Sequence, residues 1–274
     1  MIWYFTMRIR RIVQTLCGPR YRAAWSKWNG KTTKHRIAAL AGKALRKSWM
    51  LFAVKQHGDA LLDSMRAKIF ESCTFAQHRE DLVLCELLRA HLYDGYYVDV
   101  GANHPSKLSN TYKLFVQGMR GITVEPNEIF SALHRRYRPE DICISAGCGP
   151  TEGVACFYER SYHAVSSVLD TSECVSDCNT RVIARKSIPI ITLAGLLRSV
   201  HLRGRSHFAL LSVDSEGFDI EVLRGNDWDS FRPLYVIAEF ESPASKKTLL
   251  LYMETVGYRF EQLLGCNILL SRVK

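Results

Sequence analysis

Three acidic side chains stand at or near the ends of separate apolar runs in this chain. Asp99 lies in "YYVDVG", Glu125 closes "GITVEP" and Asp214 closes "FALLSVD". Short apolar runs of this kind predict buried strands. In an open α/β sheet, ligands bind at the carboxyl ends of the strands, where the strand order switches. The spacing therefore predicts a ligand site to which neighbouring strands each contribute a carboxylate.

The turn after "YYVDVG" favours a ligand that carries an adenosine. Gly101 lets the backbone approach a ligand closely or adopt a dihedral that other residues avoid, and Asp99 can accept hydrogen bonds from the loop or from a bound amine. Glu125 has the position of a carboxylate that binds two ribose hydroxyls. The turn contains neither GxGxxG nor GxxxxGK[ST], the motifs that cradle a pyrophosphate or the phosphates of ATP. S-adenosylmethionine, which has a ribose and no phosphate, fits this pattern best.

Strands and helices alternate from about residue 75, which predicts a mostly parallel sheet covered on both faces. Apolar runs predict strands in "YYVDVG", "GITVEP", "DICISAG", "GVACFYE", "FALLSVD" and "LYVIAEF", the fourth of them antiparallel. Helical spacing predicts helices in "EDLVLCELLRAHL", "SKLSNTYKLFVQ", "NEIFSALHRRY", "TLAGLLRSV", "FDIEVLRG" and "ASKKTLLLYMETVG". Asn127 and Thr192 are the expected caps, Gly225 ends a helix, and a terminal hairpin turns at Gly265. Residues 160–187 are polar and predict irregular structure.

Four stretches, taken in order, carry a family resemblance: "QHREDLVLCELL", "YYVDVGANHPSKLSNTY", "GITVEPN" and "LLSVDSEGFDIEVLRG". Over about residues 74–272 the chain resembles the FkbM family of S-adenosylmethionine-dependent O-methyltransferases. The most specific part is Asp-x-Glu-Gly followed by E-x-L-x-G, although Ser215 stands where the family usually has Val. The resemblance implies the class I methyltransferase fold, a Rossmann-like, seven-stranded and mostly parallel sheet with an antiparallel last strand. It also implies methyl transfer to a hydroxyl of a carbohydrate, glycolipid or related natural product.

The resemblance also assigns roles to individual residues. It places the methionine half of the cofactor against Asp99, Gly101, Ala102 and Asn103, and the ribose on Glu125. The adenine is expected near Asn127, Ser145 and Ala146. Asp214 and Glu216 are expected over the reacting methyl group, with Asp214 also touching the cofactor.

Methyl transfer to an alcohol requires in-line positioning and the removal of one proton. Asp214 is the candidate that accepts this proton or orients the hydroxyl. The alternative is that it braces the helix beginning near Phe218, where the helix dipole favours an acid. Glu239 ends the neighbouring strand and is a further catalytic candidate. Together with Asp214 it could bind a divalent metal that acidifies the hydroxyl, or it could only hydrogen-bond the substrate or a loop; a metal is not favoured.

His163, in "SYHAVSS", is a second candidate for the general base. The alternative is a solvated histidine in a loop. Ser166 and Ser167 belong to the same segment and could line the acceptor pocket.

The first 58 residues differ in charge from the rest of the chain. They contain 13 Lys and Arg and no Asp or Glu, whereas the remainder has 24 basic and 27 acidic side chains. Basic residues interleaved with tryptophan suit an anionic membrane surface; the tryptophans are Trp3, Trp25, Trp28 and Trp49. We predict a basic, helical N-terminal extension at 1–70 and a methyltransferase domain at 71–274. There are two alternatives to membrane binding. The extension could only pack on the domain, or it could be an organelle transit peptide.

Composition bounds the remaining choices. No stretch reaches the roughly 18 apolar residues of a membrane span. The nine cysteines form no CxxC pair, which favours reduced thiols in a cytoplasmic protein. The protein would be held peripherally at a membrane if the extension binds lipid. An RNA methyltransferase is an alternative function because basic segments also suit phosphate, although a nucleic acid partner is not expected. The third candidate function is a scaffold that binds the cofactor without turnover.

Overall fold

The computed structural model describes residues 73–160 and 182–273 of the chain. Within these ranges the strands are β1 (Gly95–Val100), β2 (Arg120–Val124), β3 (Ile142–Ile144), β4 (Gly147–Cys148), β5 (Gly153–Arg160), β6 (Val182–Ile191), β7 (His207–Val213), β8 (Tyr235–Glu239), β9 (Tyr258–Leu264) and β10 (Asn267–Arg272). The α-helices are α1 (Glu80–Leu87), α2 (Tyr112–Val116), α3 (Glu128–Tyr137), α4 (Leu193–Ser199), α5 (Asp219–Arg224) and α6 (Pro243–Thr255), with a 3₁₀ turn at Arg89–His91.

Seven of these strands form one sheet in the order β3-β2-β1-β7-β8-β10-β9. β1 runs parallel to β2 and β7, and β7 runs parallel to β8. β10 is antiparallel to both of its neighbours, β8 and β9. The strand order switches between β1 and β7, so the carboxyl ends of these two strands flank the expected ligand site. The predicted fold, a seven-stranded class I methyltransferase sheet with an antiparallel last strand, is confirmed.

Apolar side chains pack on both faces of the sheet. Alternate residues of a strand point to opposite faces, so one strand contributes to both. In β1, Val98 and Val100 pack into one apolar cluster with residues of α4, α5 and α6. Tyr97 packs on the other face with Leu84 and Leu114, from α1 and α2. Burying a side chain such as Leu84 stabilises the fold by roughly 1.5–3 kcal/mol. The two cores hold the strand ends, and therefore the site, in a fixed arrangement.

A second, smaller sheet has the order β4-β6-β5. β5 is antiparallel to β6, as predicted for "GVACFYE". The prediction that residues 160–187 are irregular is wrong from Val182 onward, where β6 begins. The first half of β6 has little apolar alternation, so its strand state comes from backbone pairing with β5, which a sequence pattern does not reveal. His163, Ser166 and Ser167 lie outside the described residues.

The helix predicted in "SKLSNTYKLFVQ" is much shorter than expected. Only Tyr112–Val116 is helical. Leu108 has a positive φ of 54°, and the Ser109 amide donates to the carbonyl of Phe75. Side-chain hydrogen bonds from such polar residues compete with helix formation, and here the Ser109 hydroxyl accepts from the Tyr112 amide. The preceding residues form a folded loop beside the ligand site instead of a helical turn.

The predicted helix and turn signals are present elsewhere. The Asn127 side chain accepts from the first amides of α3, and the Thr192 side chain caps α4. Gly225 follows α5, and Gly265 turns the terminal hairpin with a φ of 62°.

Residues 1–72 lie outside the described residues, so the predicted extension and its boundary remain predictions. In the part of the chain that is described, no helix is long and apolar enough to cross a membrane. The six cysteines of that part are free thiols.

Candidate active site

The turn after β1 is built around Gly101. Its φ is 71°, and a Cβ atom at this position would lie 1.7 Å from the carbonyl oxygen of Asp214. The amides of Gly101 and Ala102 both donate to the carbonyl of Val124, at 3.0 and 3.2 Å. The Asp214 amide donates to the carbonyl of Val100 at 3.0 Å. The ends of β1, β2 and β7 are thereby joined through backbone groups, and only glycine fits at position 101.

Glu125 follows β2 and closes the side of this turn. Its two carboxylate oxygens accept from the amides of Asn103 and Asn127, each at 2.7 Å. The residue is 5% exposed, and burial, with a smaller contribution from Asp99, raises the pKa of Glu125 to about 7. Each oxygen retains a second lone pair that can accept from a ribose hydroxyl. Glu125 thus braces the loop and is available to a ligand at the same time.

Asn103 is the other strained residue of the turn, with a φ of 47°. Its carbonyl accepts from Nε2 of His134 at 2.9 Å. Burial lowers the pKa of His134 to about 3, so the ring is neutral and carries its proton on Nε2. His134 was not among the predicted site residues, because a histidine in the middle of a helix carries no signal of this contact.

The three residues expected near the adenine have different surroundings. Asn127 uses its side-chain oxygen to cap α3 and donates from Nδ2 to Glu159 at 3.0 Å. Ser145 is exposed, and its hydroxyl donates to Ser131 at 2.9 Å. Ala146 is buried. Contact of these residues with an adenine remains a prediction.

Asp99 is buried beneath the turn and does not point into open solvent. Its carboxylate accepts from the hydroxyls of Thr111 and Ser212. Burial raises the pKa of Asp99, and the nearby charge of Arg138 is the strongest opposing influence. The observed partners of Asp99 are thus Thr111, at the start of α2, and Ser212 of β7, and its contact with a bound amine remains a prediction.

Five carboxyl groups gather at the carboxyl ends of β7 and β8, and we call them the acidic cluster. Three of them offer oxygen atoms that all lie within 4.8 Å of one another. These three are the predicted catalytic residues Asp214, Glu216 and Glu239, which the fold therefore brings together. The cluster is completed by Asp219 and Glu241, whose charges act on the same groups.

Proximity of like charges alters the protonation of the acidic cluster. Burial, followed by Glu239 and then Glu216, raises the pKa of Asp214 well above its usual value, and Asp214 is hydrogen-bonded to Glu239. Burial and the charge of Glu239 raise the pKa of Glu216 to about 8. The same two causes raise the pKa of Asp219 to about 8. The cluster therefore retains protons at neutral pH.

The loop after β7 is shaped to form this cluster. Glu216 and Gly217 have positive φ values of 52° and 90°. A left-handed conformation at a residue other than glycine costs roughly 1–3 kcal/mol and is found mostly at functional sites. Asp219 anchors the loop by accepting from the Ser215 amide at 3.2 Å. Sequence reasoning missed Asp219, although its position in the first turn of a helix after Asp-x-Glu-Gly was a usable signal.

A hard divalent cation prefers oxygen ligands, and the three closest carboxylates of the acidic cluster are of that type. Asp214 and Glu239 were the two residues predicted for such a metal, and the fold adds Glu216 to them. His163 lies outside the described residues, so its proposed role as a base is untested.

Residues 99–260 match the sequence profile described as the methyltransferase FkbM domain. The chain belongs to the FkbM methyltransferase family. The matched range contains the Gly101 turn, Glu125 and the whole acidic cluster.

Two solved structures are similar to this FkbM chain. Methyltransferase FkbM from Methylobacillus flagellatus KT shares 13% identity, with a TM-score of 0.41, over 64% of this chain and 43% of that one. A TehB-like SAM-dependent methyltransferase from Corynebacterium glutamicum shares 11% identity, with a TM-score of 0.38, over 78% of this chain and 96% of that one. The chain thus spans less than half the length of the first structure. Comparison with curated proteins gives no match.

We expect Gly101→Ala to destabilise the domain and remove cofactor binding, because the new Cβ atom would overlap the Asp214 carbonyl and the positive φ would be strained. Thermal unfolding and isothermal titration with S-adenosylmethionine would measure both effects. The matched control is Gly153→Ala, where a Cβ atom meets nothing within 4 Å. A Gly101→Ala protein with unchanged melting and binding would show that the close contact is not required.

We expect Glu125→Ala to weaken S-adenosylmethionine binding by about tenfold or more, since a hydrogen bond to a charged acceptor is worth about 1.5–3 kcal/mol. Part of this loss comes from the turn itself, which Glu125 braces. Glu125→Gln keeps the size and an acceptor oxygen, so it should bind with intermediate affinity. Isothermal titration on variants with a preserved circular dichroism spectrum would test this order, and unchanged affinity in Glu125→Ala would move the ribose site elsewhere.

Proposed function

We propose that this FkbM domain is an O-methyltransferase that uses S-adenosylmethionine and acts on a hydroxyl of a carbohydrate, glycolipid or related natural product. One observation carries the proposal. Asp214 and Glu239, at the ends of the adjacent parallel strands β7 and β8, form a hydrogen-bonded pair of carboxyl groups beside the Gly101 turn.

Separate residues would bind the cofactor and remove the proton of the acceptor. When bound, the cofactor supplies an electrophilic methyl group on a sulfonium ion. Glu125 would hold the ribose, and the turn from Asp99 to Asn103 would position the methionine half. Asp214 would orient the acceptor hydroxyl and take up its proton as the oxygen–carbon bond forms. The hydrogen bond to Glu239 would hold the Asp214 carboxyl group in place, and the ionised form of Asp214 would provide the base.

The raised pKa of Asp214 supports this role. A carboxylate of ordinary pKa is a weak base toward an alcohol, whereas one whose pKa is raised accepts a proton more readily once it is ionised. The fraction of Asp214 that is ionised increases with pH. Methyl transfer is therefore expected to accelerate from acidic to mildly alkaline pH.

Charge at the acidic cluster supports a sugar hydroxyl over RNA as the acceptor. Carboxyl groups form hydrogen bonds with hydroxyl groups, whereas the ionised members of the acidic cluster would repel the phosphates of a nucleic acid. An acceptor panel would decide between these functions and a scaffold without turnover. It would contain neutral glycans, glycolipids and RNA, with formation of S-adenosylhomocysteine as the signal; turnover only with RNA would contradict the proposal.

We expect Asp214→Asn to lower kcat by about 10²–10⁴, the range for a positioned acid–base group, with little change in cofactor affinity. The variant should also show a weaker increase in rate with pH than the wild type, because position 214 no longer carries a carboxyl group whose pKa is raised. Steady-state rates as a function of pH, with cofactor titration as the control, would test both points. A nearly unimpaired variant would reduce Asp214 to bracing the loop.

Metal assistance makes a separate prediction. If the acidic cluster holds a divalent cation, a chelator should abolish turnover, Mg²⁺ or Mn²⁺ should restore it, and Glu239→Gln should be as damaging as Asp214→Asn. Full activity in excess chelator, with Asp214→Asn still inactive, would leave Asp214 as the base without a metal.

The N-terminal extension is proposed to hold the enzyme at an anionic membrane, near glycolipid acceptors. Removal of residues 1–58 should leave a domain that binds S-adenosylmethionine but has lost salt-sensitive binding to anionic vesicles. Cosedimentation with vesicles that contain or lack anionic lipid, at low and high salt, would measure this. A full-length protein that ignores anionic vesicles at low salt would contradict the membrane role.

A further inference from the structure

Arg138, directly after α3, has no exposed side-chain surface. Its Nε donates to Asp141 at 2.7 Å, and its Nη2 donates to the Tyr97 hydroxyl at 2.7 Å and the Thr111 hydroxyl at 2.9 Å. The Tyr97 hydroxyl in turn donates to Asp141 at 2.6 Å. A charge is rarely buried in this way unless it is paired and hydrogen-bonded. Arg138 therefore joins the end of α3 to β1 and to the loop before α2.

The hydrogen bonds of Arg138 lead to the cofactor turn. Because the Thr111 hydroxyl accepts from Arg138, its own proton is free to donate to Asp99, which it does. Asp99 lies in β1, two positions before Gly101. A second series of hydrogen bonds reaches the Asp99 carboxylate through Ser212, whose hydroxyl accepts from Asn110 at 3.4 Å. Asp99 is thus oriented from two sides by residues with no direct place in the reaction.

The charges around Asp99 are unequal. Burial, and after it the charge of Asp141, disfavours the ionisation of Asp99. Arg138 is the cation that opposes them. Burial alone would lower the pKa of Arg138, but Tyr97, Asp141 and Asp99 raise it, so the guanidinium stays charged.

We propose that Arg138 is a positioning residue for methyl transfer, which orients Asp99 through Thr111 and keeps its carboxylate ionised beneath the cofactor turn. The proposal rests on the proposed function, because it concerns how the same turn binds S-adenosylmethionine. The methionine half of that cofactor carries an ammonium and a sulfonium, and both are favoured by a buried negative charge nearby. The product, S-adenosylhomocysteine, has lost the sulfonium charge, so it depends less on Asp99.

The test compares three variants by isothermal titration with S-adenosylmethionine and with S-adenosylhomocysteine. Arg138→Met removes the charge and keeps much of the volume. Arg138→Lys keeps the charge and loses the forked hydrogen bonds. Asp99→Asn combined with Arg138→Met removes both charges, and the buried Asp141 keeps its hydrogen bonds from the Tyr97 hydroxyl and the Gly121 amide.

Each variant has a distinct expected pH profile. The wild type should gain affinity as pH rises through about 7, where Glu125 ionises. Arg138→Met should bind S-adenosylmethionine at least about tenfold more weakly at mildly acidic pH and recover as Asp99 ionises. Its loss of affinity for S-adenosylhomocysteine should be smaller. The recovery of affinity with rising pH adds a step to the binding profile of Arg138→Met. This additional step should be absent from Arg138→Lys, and also from the double variant, in which position 99 cannot titrate.

Two results would overturn the proposal: a wild-type pH profile in Arg138→Met, or an additional step that persists in the double variant. If Arg138→Met does not fold, Arg138→Lys decides, because the proposal requires this variant to lack the additional step and a step there overturns the proposal. A wild-type protein that binds neither compound would instead refute the proposed function. Since binding requires no acceptor, the test is independent of the acceptor's identity.

Discussion

The contact between Gly101 and the carbonyl of Asp214 is the constraint on which the site depends. It brings the end of β1 so close to the end of β7 that no side chain fits between them. The Gly101 turn and the acidic cluster belong to segments more than a hundred residues apart in sequence. Backbone hydrogen bonds from β1 to β2 and β7 fix this distance, so the two halves of the site are aligned by main-chain geometry and depend little on flexible side chains.

Much of the architecture was predictable because its signals are local. Continuous apolar runs marked the central strands, and Asn127 and Thr192 marked the helix starts. The strand-end positions of Glu125 and Asp214 followed from the strand predictions and the family resemblance. What failed was non-local: β6 exists through pairing with β5. Arg138 lies in a basic run that resembles a solvated helix end, so its burial could not be predicted without knowing what packs over it.

Two buried charge systems meet at the carboxyl end of the sheet, and they are built on opposite principles. Around Arg138, one cation faces several hydrogen-bond acceptors. In the acidic cluster, carboxyl groups face one another and must hold protons to coexist. The first arrangement stabilises the fold beneath the turn. The acidic cluster opposes folding once its groups are ionised, since their pKa values lie above those of the unfolded chain. Groups with pKa values shifted in this way are typical of reactive sites.

Asn127 shows how a residue beside a binding site can be committed elsewhere. The oxygen of its side chain accepts from two amides of α3, and its nitrogen donates to Glu159, which also pairs with Lys186 of β6. The polar atoms of this side chain are therefore already engaged within the fold. In evolutionary terms, the invariance of this asparagine among relatives would record the start of a helix and its attachment to the small sheet. It would not by itself be evidence that the residue recognises the base.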